Sequence, residues 1–241
     1  SELNNEWNWG VRATGAYEYS TGKDVSVSWL HYSNTEPMYN LVGAFVVPSV
    51  PPAVVALPYT LSTQNHFDQV NAVTGQQIGA GVIDKVRFYA GLQYAAIQQD
   101  MTNYFAPGTY FDNNGYKGVG PIAGIDYNYE LSPQVSLIAN GSTSLLYGTT
   151  RMSTGYVVTP AVFAANYVSK KSVVPGFEAK LGLNYVYETP QGSLNLQGGY
   201  QVVDYFNVLQ TRAAQALTNP KVSVDYALYG PYVGLKYLGN V

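Results

Sequence analysis

The chain has 241 residues, of which 11% are charged and 14% aromatic, with 23 Tyr, 24 Gly, no Cys and a net charge of -3. Soluble domains carry about 25% charged residues, so much of this surface is not built for water. The lack of Cys excludes thiolate metal sites, a disulfide framework and thiol chemistry, and a pI near 5.3 without a basic tract excludes nucleic acid as the expected partner.

Trp7 to Ser20 is the first predicted strand, with Trp7, Trp9, Val11, Ala13, Tyr17 and Tyr19 on one parity and Asn8, Arg12, Thr14 and Glu18 on the other. Thr21-Gly22-Lys23 turns the chain into Asp24 to Ser33, where Val25, Val27 and Trp29 alternate with Ser26 and Ser28. Asn34 to Asn65 shows no strand period and reads as a long loop. Four prolines break its apolar run Phe45 to Pro58, and proline removes ladder donors. Such a loop either packs on its own barrel, the reading favoured here, or touches a partner or the outer leaflet.

His66 to Ile78 is the weakest strand, with Val70, Ala72 and Ile78 against Gln69, Asn71 and Gln77. A turn at Gly81 to Asp84 leads to Lys85 to Gln99, where Val86, Phe88, Ala90, Leu92, Tyr94 and Ala96 alternate with Lys85, Arg87, Tyr89, Gly91 and Gln93. Asp100 to Lys117 reads as a second long loop. Gly118 to Glu130 follows, with Val119, Ala123, Ile125, Tyr127 and Tyr129 opposed to Gly120, Gly124, Asp126 and Asn128. The tight connection Leu131 to Gln134 then leads to Val135 to Gly148, and Thr149 to Ser172 is a third long loop.

Val173 to Tyr205 is a long two-faced hairpin. Phe177, Ala179, Leu181, Leu183, Tyr185 and Tyr187 oppose Glu178, Lys180, Gly182, Asn184 and Glu188; after the turn Thr189 to Gly192, Leu194, Leu196, Tyr200, Val202 and Phe206 oppose Ser193, Asn195, Gln197, Gly199 and Gln201. Val208 to Val224 is the fourth long loop, and Asp225 to Leu238 closes the chain, with Lys236 on its polar parity.

The arms of this hairpin run about 12 to 15 residues, longer than sandwich strands and longer than the roughly 9 to 11 that cross a bilayer at a tilt. No run of about 18 apolar residues exists to form a membrane helix, and a closed barrel is the other way to pair every backbone group in lipid. The expected fold is therefore a single all-β domain over residues 1–241: a transmembrane, antiparallel, up-and-down β-barrel with short periplasmic turns and long extracellular loops. About nine strands are read in this chain. Because bacterial single-chain barrels have even numbers, the expected native count is ten, with the first strand preceding Ser1. A soluble β-sandwich, in which the apolar rows meet a second sheet, is the competing architecture.

Several blocks resemble the major outer membrane protein family of Legionella. These are Trp7-Asn-Trp-Gly-Val-Arg12, His66-Phe-Asp-Gln-Val-Asn-Ala72, Val86 to Ala95 (VRFYAGLQYA), Gly118 to Asp126 (GVGPIAGID), Val174 to Asn184 (VPGFEAKLGLN) and Gly230 to Asn240 (GPYVGLKYLGN). The resemblance covers nearly every strand. It implies a porin-like barrel in the outer membrane of a Gram-negative bacterium, exposed to host factors, with a further amino-terminal strand in family members. Disulfide-linked assemblies associated with the family's abundant member are not expected of a chain without Cys.

No catalytic constellation is present: His31 and His66 have no second ligand at zinc-site spacing, and no Gly-x-Ser-x-Gly run exists. The chain is thus expected to be neither an enzyme nor a holder of metal or cofactor. Arg12, Lys85, Arg87, Lys180 and Lys236 share the inward parity with Glu18, Asp126, Glu130, Glu178 and Glu188. These ten either line a water-filled pore or fill a narrow barrel as mutually satisfied pairs. Trp7, Trp9, Tyr17, Tyr19, Trp29, Tyr127, Tyr129, Tyr185, Tyr187 and Tyr237 are the expected lipid-interface aromatics. The expected function is passive diffusion of small hydrophilic solutes or ions; the alternative is a non-conducting barrel that anchors surface loops for adhesion or host contact. Expected partners are outer-membrane lipid, lipopolysaccharide as a candidate, small solutes or ions, and host surface factors through the loops.

Overall fold

Alternation at every second residue suits a strand and no helix, and the computed structural model holds only strands and short connections in its described residues, which are 8–35, 39–47, 53–79, 84–105, 108–158, 161–212 and 221–239. The strands are β1 (Gly10–Ser20), β2 (Lys23–Thr35), β3 (Tyr39–Val47), β4 (Ala53–Gly79), β5 (Asp84–Phe105), β6 (Gly108–Glu130), β7 (Val135–Val158), β8 (Ala161–Thr189), β9 (Gly192–Arg212) and β10 (Lys221–Gly239). Nine of them form one antiparallel up-and-down path, β1-β2-β4-β5-β6-β7-β8-β9-β10, and β3 lies off it, paired to β4. The expected nine-strand meander is therefore present.

The sheet curls into a half-barrel. Phe67 on β4 meets Tyr205 on β9 and Tyr226 on β10, with ring centroids 5.8 and 5.7 Å apart, although those strands are five and six steps away along the sheet. Side chains on the inner face of opposite arcs thus touch, while the apolar rows lie on the outside. Leu181 is 58% exposed, and Phe88, Leu92, Val119, Leu145, Leu183 and Val233 are likewise open to the surroundings. No second sheet covers these rows among the described residues, which removes the sandwich.

One connection differs from the expectation. Asn34 to Asn65, read as an irregular loop, is largely a hairpin: Tyr39↔Leu61 to Val47↔Ala53 pair across β3 and β4, and Asn34↔Asn65 continues the β2–β4 ladder. Pro58 sits inside β4, opposite Val42. Residues 48–52 of the proline-rich run, and 80–83 of the turn before β5, lie outside the described residues. Most of the other three long connections is also paired strand. The β5–β6 ladder reaches Phe105↔Gly108, β7–β8 reaches Val158↔Ala161, and β9–β10 reaches Arg212↔Lys221.

The reason is physical. A period of two is visible in sequence only where one face is greasy and the other wet; beyond the apolar belt both faces are polar or mixed, so the strand continues while its signature disappears. The opposite end behaves as expected. Gly22 turns β1 into β2 at φ +71°, its amide donating to Glu18 Oε1 at 2.8 Å, and β8 passes to β9 through Pro190-Gln191 alone.

The belt makes a quantitative claim. Leu181→Arg, at the centre of the outer row of β8, should lower the unfolding free energy in lipid vesicles by about 2–4 kcal/mol, read from urea titration of the folded barrel. A change near zero would place that row in water.

Candidate functional site

Two clusters on the inner face pair cations with carboxylates, at different depths. The deeper one is built on Glu178 of β8, whose side chain is only 6% exposed. Arg12 reaches it across the curl from β1, Nη1 to Oε1 at 2.8 Å, and Lys180, the next inward residue of β8, approaches at 3.3 Å. Gln69 Nε2 on β4 donates to Oε2 at 3.1 Å, and the Tyr205 hydroxyl on β9 donates to Gln69 Oε1 at 3.0 Å. Three strands therefore meet at one carboxylate, and β9 joins them through Gln69. Two cations against one anion leave the cluster with a formal charge of +1, and Arg12 Nε and Nη2 are buried without a hydrogen-bond partner among the described residues.

The second centre lies toward the short-turn end. Arg87 of β5 grips Asp24 of β2 with both arms of its fork, Nε at 2.7 Å and Nη2 at 2.5 Å, and donates Nη1 to Asp126 of β6 at 2.7 Å. To reach Asp24 its guanidinium must cross β4, and it does so over Gly75, where a Cβ would stand 2.6 Å from Cζ. Tyr89 likewise lies over Gly124 of β6 to accept from Asn140 Nδ2 of β7 at 3.1 Å, and Asn140 also donates to Asp126. Inner glycines are the gaps in which long inner side chains lie down, so a charge can bond two strands away. With one cation and two carboxylates, this centre carries a formal charge of -1.

Just beyond the Glu178 cluster, toward the long hairpins, the inner face is apolar, and further out Asp112, Asn114, Thr150 and Thr154 make it polar again. Phe67, Ile97, Tyr116, Leu146, Val174 and Tyr205 are buried in one cluster. Gln69, Gln93, Ser142, Ser144 and Glu178 fill the level beside it. These inward apolar residues have a signal in the sequence: Leu145-Leu146 and Val173-Val174 are apolar at both parities. Gln69 and Asn71 were read on the polar parity of β4 without a role, and Asp24 and Asn140 of the charged networks were missed, because pairing between strands cannot be read along one strand.

The remaining inward candidates are spread out. Lys85 pairs with Glu130 at 3.0 Å across β5 and β6, near the short-turn end; Glu18 caps the first turn; Glu188 and Lys236 are exposed close to that same end. The structure thus brings Arg12, Glu178 and Lys180 together, and Arg87 with Asp126, and leaves the other candidates apart from these two centres. Of the aromatics, Trp9, Tyr17, Tyr19, Trp29, Tyr129, Tyr185, Tyr187 and Tyr237 are exposed on the outer face. Tyr127 is partly covered, and Trp7 lies outside the described residues. Trp29 has a second contact, its indole N–H donating to Asp68 Oδ1 at 3.0 Å beside His31 Nδ1 at 2.8 Å.

Removing one member of a buried ion cluster leaves its partners uncompensated. Glu178→Ala should therefore cost about 3–5 kcal/mol of stability, measured in detergent or vesicles, whereas Glu188→Ala at the exposed end should change it by less than about 0.5 kcal/mol. Equal effects would show that the cluster does not hold the curl.

No curated protein matches the chain. A protein-family model does, described as Legionella pneumophila major outer membrane protein precursor, and its match runs over residues 1–239. That span takes in every strand of the half-barrel, both charged centres and the outer belt, in agreement with the residue blocks that resembled this family. A curled antiparallel meander with its apolar rows outside, and without helix among its described residues, is the fold expected of such a protein. The chain belongs to the Legionella major outer membrane protein family and is a protein of the outer membrane.

Proposed function

We propose that this protein spans the outer membrane and provides a narrow, charge-filtered path for the passive diffusion of small hydrophilic solutes or ions. On β8 the outer row from Val173 to Tyr185 is twelve residue steps, about 40 Å of strand or roughly 28 Å of height at a 45° tilt, close to the ~25 Å apolar band of such barrels.

The observation that carries the reading is the cluster of Arg12, Lys180 and Glu178 at mid-depth. A curl that only needed filling is filled more cheaply by apolar side chains, as its own Phe67–Tyr205 region shows, because charges taken from water cost more than they return. Ionisable residues at membrane depth are retained where an ion or solute path needs them. The order of the two centres gives the path a polarity. A solute from the short-turn end meets the -1 centre at Arg87 first and the +1 centre at Glu178 next, and a ring of fixed sign at a constriction sets ion preference.

Single-channel recording of the purified full-length protein in planar bilayers tests this. Discrete openings are expected, and under a salt gradient Glu178→Gln should move the reversal potential toward the anion value, while Arg12→Ala should move it toward the cation value. Bilayers that stay silent across voltages and preparations would sink the conduit.

A second reading has its own observation. β5 from Gln98 to Phe105 and β6 from Gly108 to Lys117 continue as a paired hairpin beyond the belt, as β7 and β8 do from Thr149 and Lys171 outward. Hairpins of that reach suit contact with host surface factors, with the barrel as anchor. Silent bilayers together with cell-surface binding lost on removing the outer part of the β5–β6 hairpin would select it.

A further inference from the structure

The outer face changes character along one line. On β6, β7 and β8 the apolar belt ends at Val119, Tyr147 and Val173, all more than half exposed, and the next outward positions are Lys117, Thr149 and Lys171. These three stand in register, Lys117 opposite Thr149 and Thr149 opposite Lys171, and one outward step further Arg151 lies opposite Gly115 and Ser169. With strands about 4.8 Å apart and about 3.4 Å of rise per residue, the three cationic side chains spring from within about 10 Å of one another.

Their direction is fixed by alternation, since Tyr116, Thr150 and Met152 between them are buried while Lys117, Arg151 and Lys171 are exposed. Lys171 Nζ donates to Thr149 Oγ1 at 2.8 Å and stands 5.9 Å from the Tyr147 ring centroid, which holds the ammonium over the last aromatic of the belt. Among the described residues no carboxylate pairs with any of the three. Asp100, an acid on the neighbouring β5, stands four positions beyond the partner of Lys117 and accepts from Gln98. Three like charges at the rim of a hydrophobic belt, on the side of the long hairpins, need anions at the level of the lipid headgroups. Phosphate is the anion that Lys and Arg bind best in such a cluster.

We propose that Lys117, Arg151 and Lys171 form a headgroup site for the phosphorylated glycolipid of the outer leaflet, lipopolysaccharide. One of its phosphates sits among the three cations, and its acyl chains lie along Val119, Tyr147 and Val173. The proposal rests on the belt being membrane-spanning, because only then does this line coincide with the headgroups.

Native mass spectrometry of the folded full-length protein in detergent micelles, titrated with bisphosphorylated lipid A and with the same lipid dephosphorylated, reads the site. The phosphorylated form should bind about ten-fold or more tightly than the other. K117A/R151A/K171A should abolish that preference, K117R/K171R should keep it, and K23A/K236A at the opposite end should leave it intact. The triple variant should keep the wild-type refolding yield and conductance, which separates loss of this site from loss of the barrel; should it fail to fold, Arg151→Gln alone is expected to weaken the preference severalfold. Equal binding of the two lipids, a preference that survives the substitutions, or displacement of lipid by millimolar inorganic phosphate would each overturn the proposal. Failure of the wild-type protein to insert into vesicles would instead overturn the membrane-spanning reading beneath it.

Discussion

The constraint on which the rest depends is the pairing of backbone groups between neighbouring strands. A strand with a partner on each side leaves its N–H and C=O groups satisfied and its side chains free to divide between two faces. Here that division is sharp. Leu181 and Leu183 point out of the curl while Glu178 and Lys180 point into it, within six residues of a single strand. Slipping any ladder by one residue would place charge in the belt and hydrocarbon in the interior. Outer apolar row and inner ion cluster therefore share one register.

Curling gives the inner face a property that a flat sheet lacks. Residues far apart along the meander become neighbours across the interior, as Arg12 of β1 and Glu178 of β8 do, and each such contact ties one arc of the sheet to another. The small residues of the inner face decide which contacts form. Gly75 clears the way for Arg87 to reach Asp24, and Gly124 does the same for Tyr89. A guanidinium passing over β4 bonds β2 and β6 at once and couples charge placement to the shape of the curl.

These features differ in how far the sequence reveals them, for physical reasons. The β5, β6, β8 and β9 rows were legible because a greasy and a wet face alternate there, and so was the inward parity of Arg12, Arg87, Asp126, Glu178 and Lys180. The β3–β4 hairpin and the outer halves of β5 to β8 were not, because beyond the belt neither face is uniformly apolar and prolines such as Pro58 argue for a loop. Cross-strand partners were invisible as well. Nothing along β4 says that Gln69 will meet Glu178, a residue 109 positions away, since that meeting depends on strand order and curvature. Asp24 was passed over at the head of its strand, although Gly75, its partner in register, is what opens it to Arg87.

Two groups of cations contrast where the polypeptide satisfies its own charge and where it does not. Inside the curl Arg12, Lys180 and Arg87 each meet a carboxylate at 3.3 Å or less. Outside it Lys117, Arg151 and Lys171 meet none among the described residues, although Asp100 lies on an adjoining strand. Desolvation accounts for the contrast: a cation drawn into the interior loses water and must be paired by the chain itself, whereas a cation at a headgroup boundary keeps some water and can be paired by the membrane. Exposed charges in water tolerate either state, so an unpaired surface lysine alone carries no information. Two in register and a third one step outward, at the end of an apolar belt and with one ammonium held over its last tyrosine, do carry it, because the same alternation that turns Val119, Tyr147 and Val173 to the outer face turns these three toward whatever borders that belt.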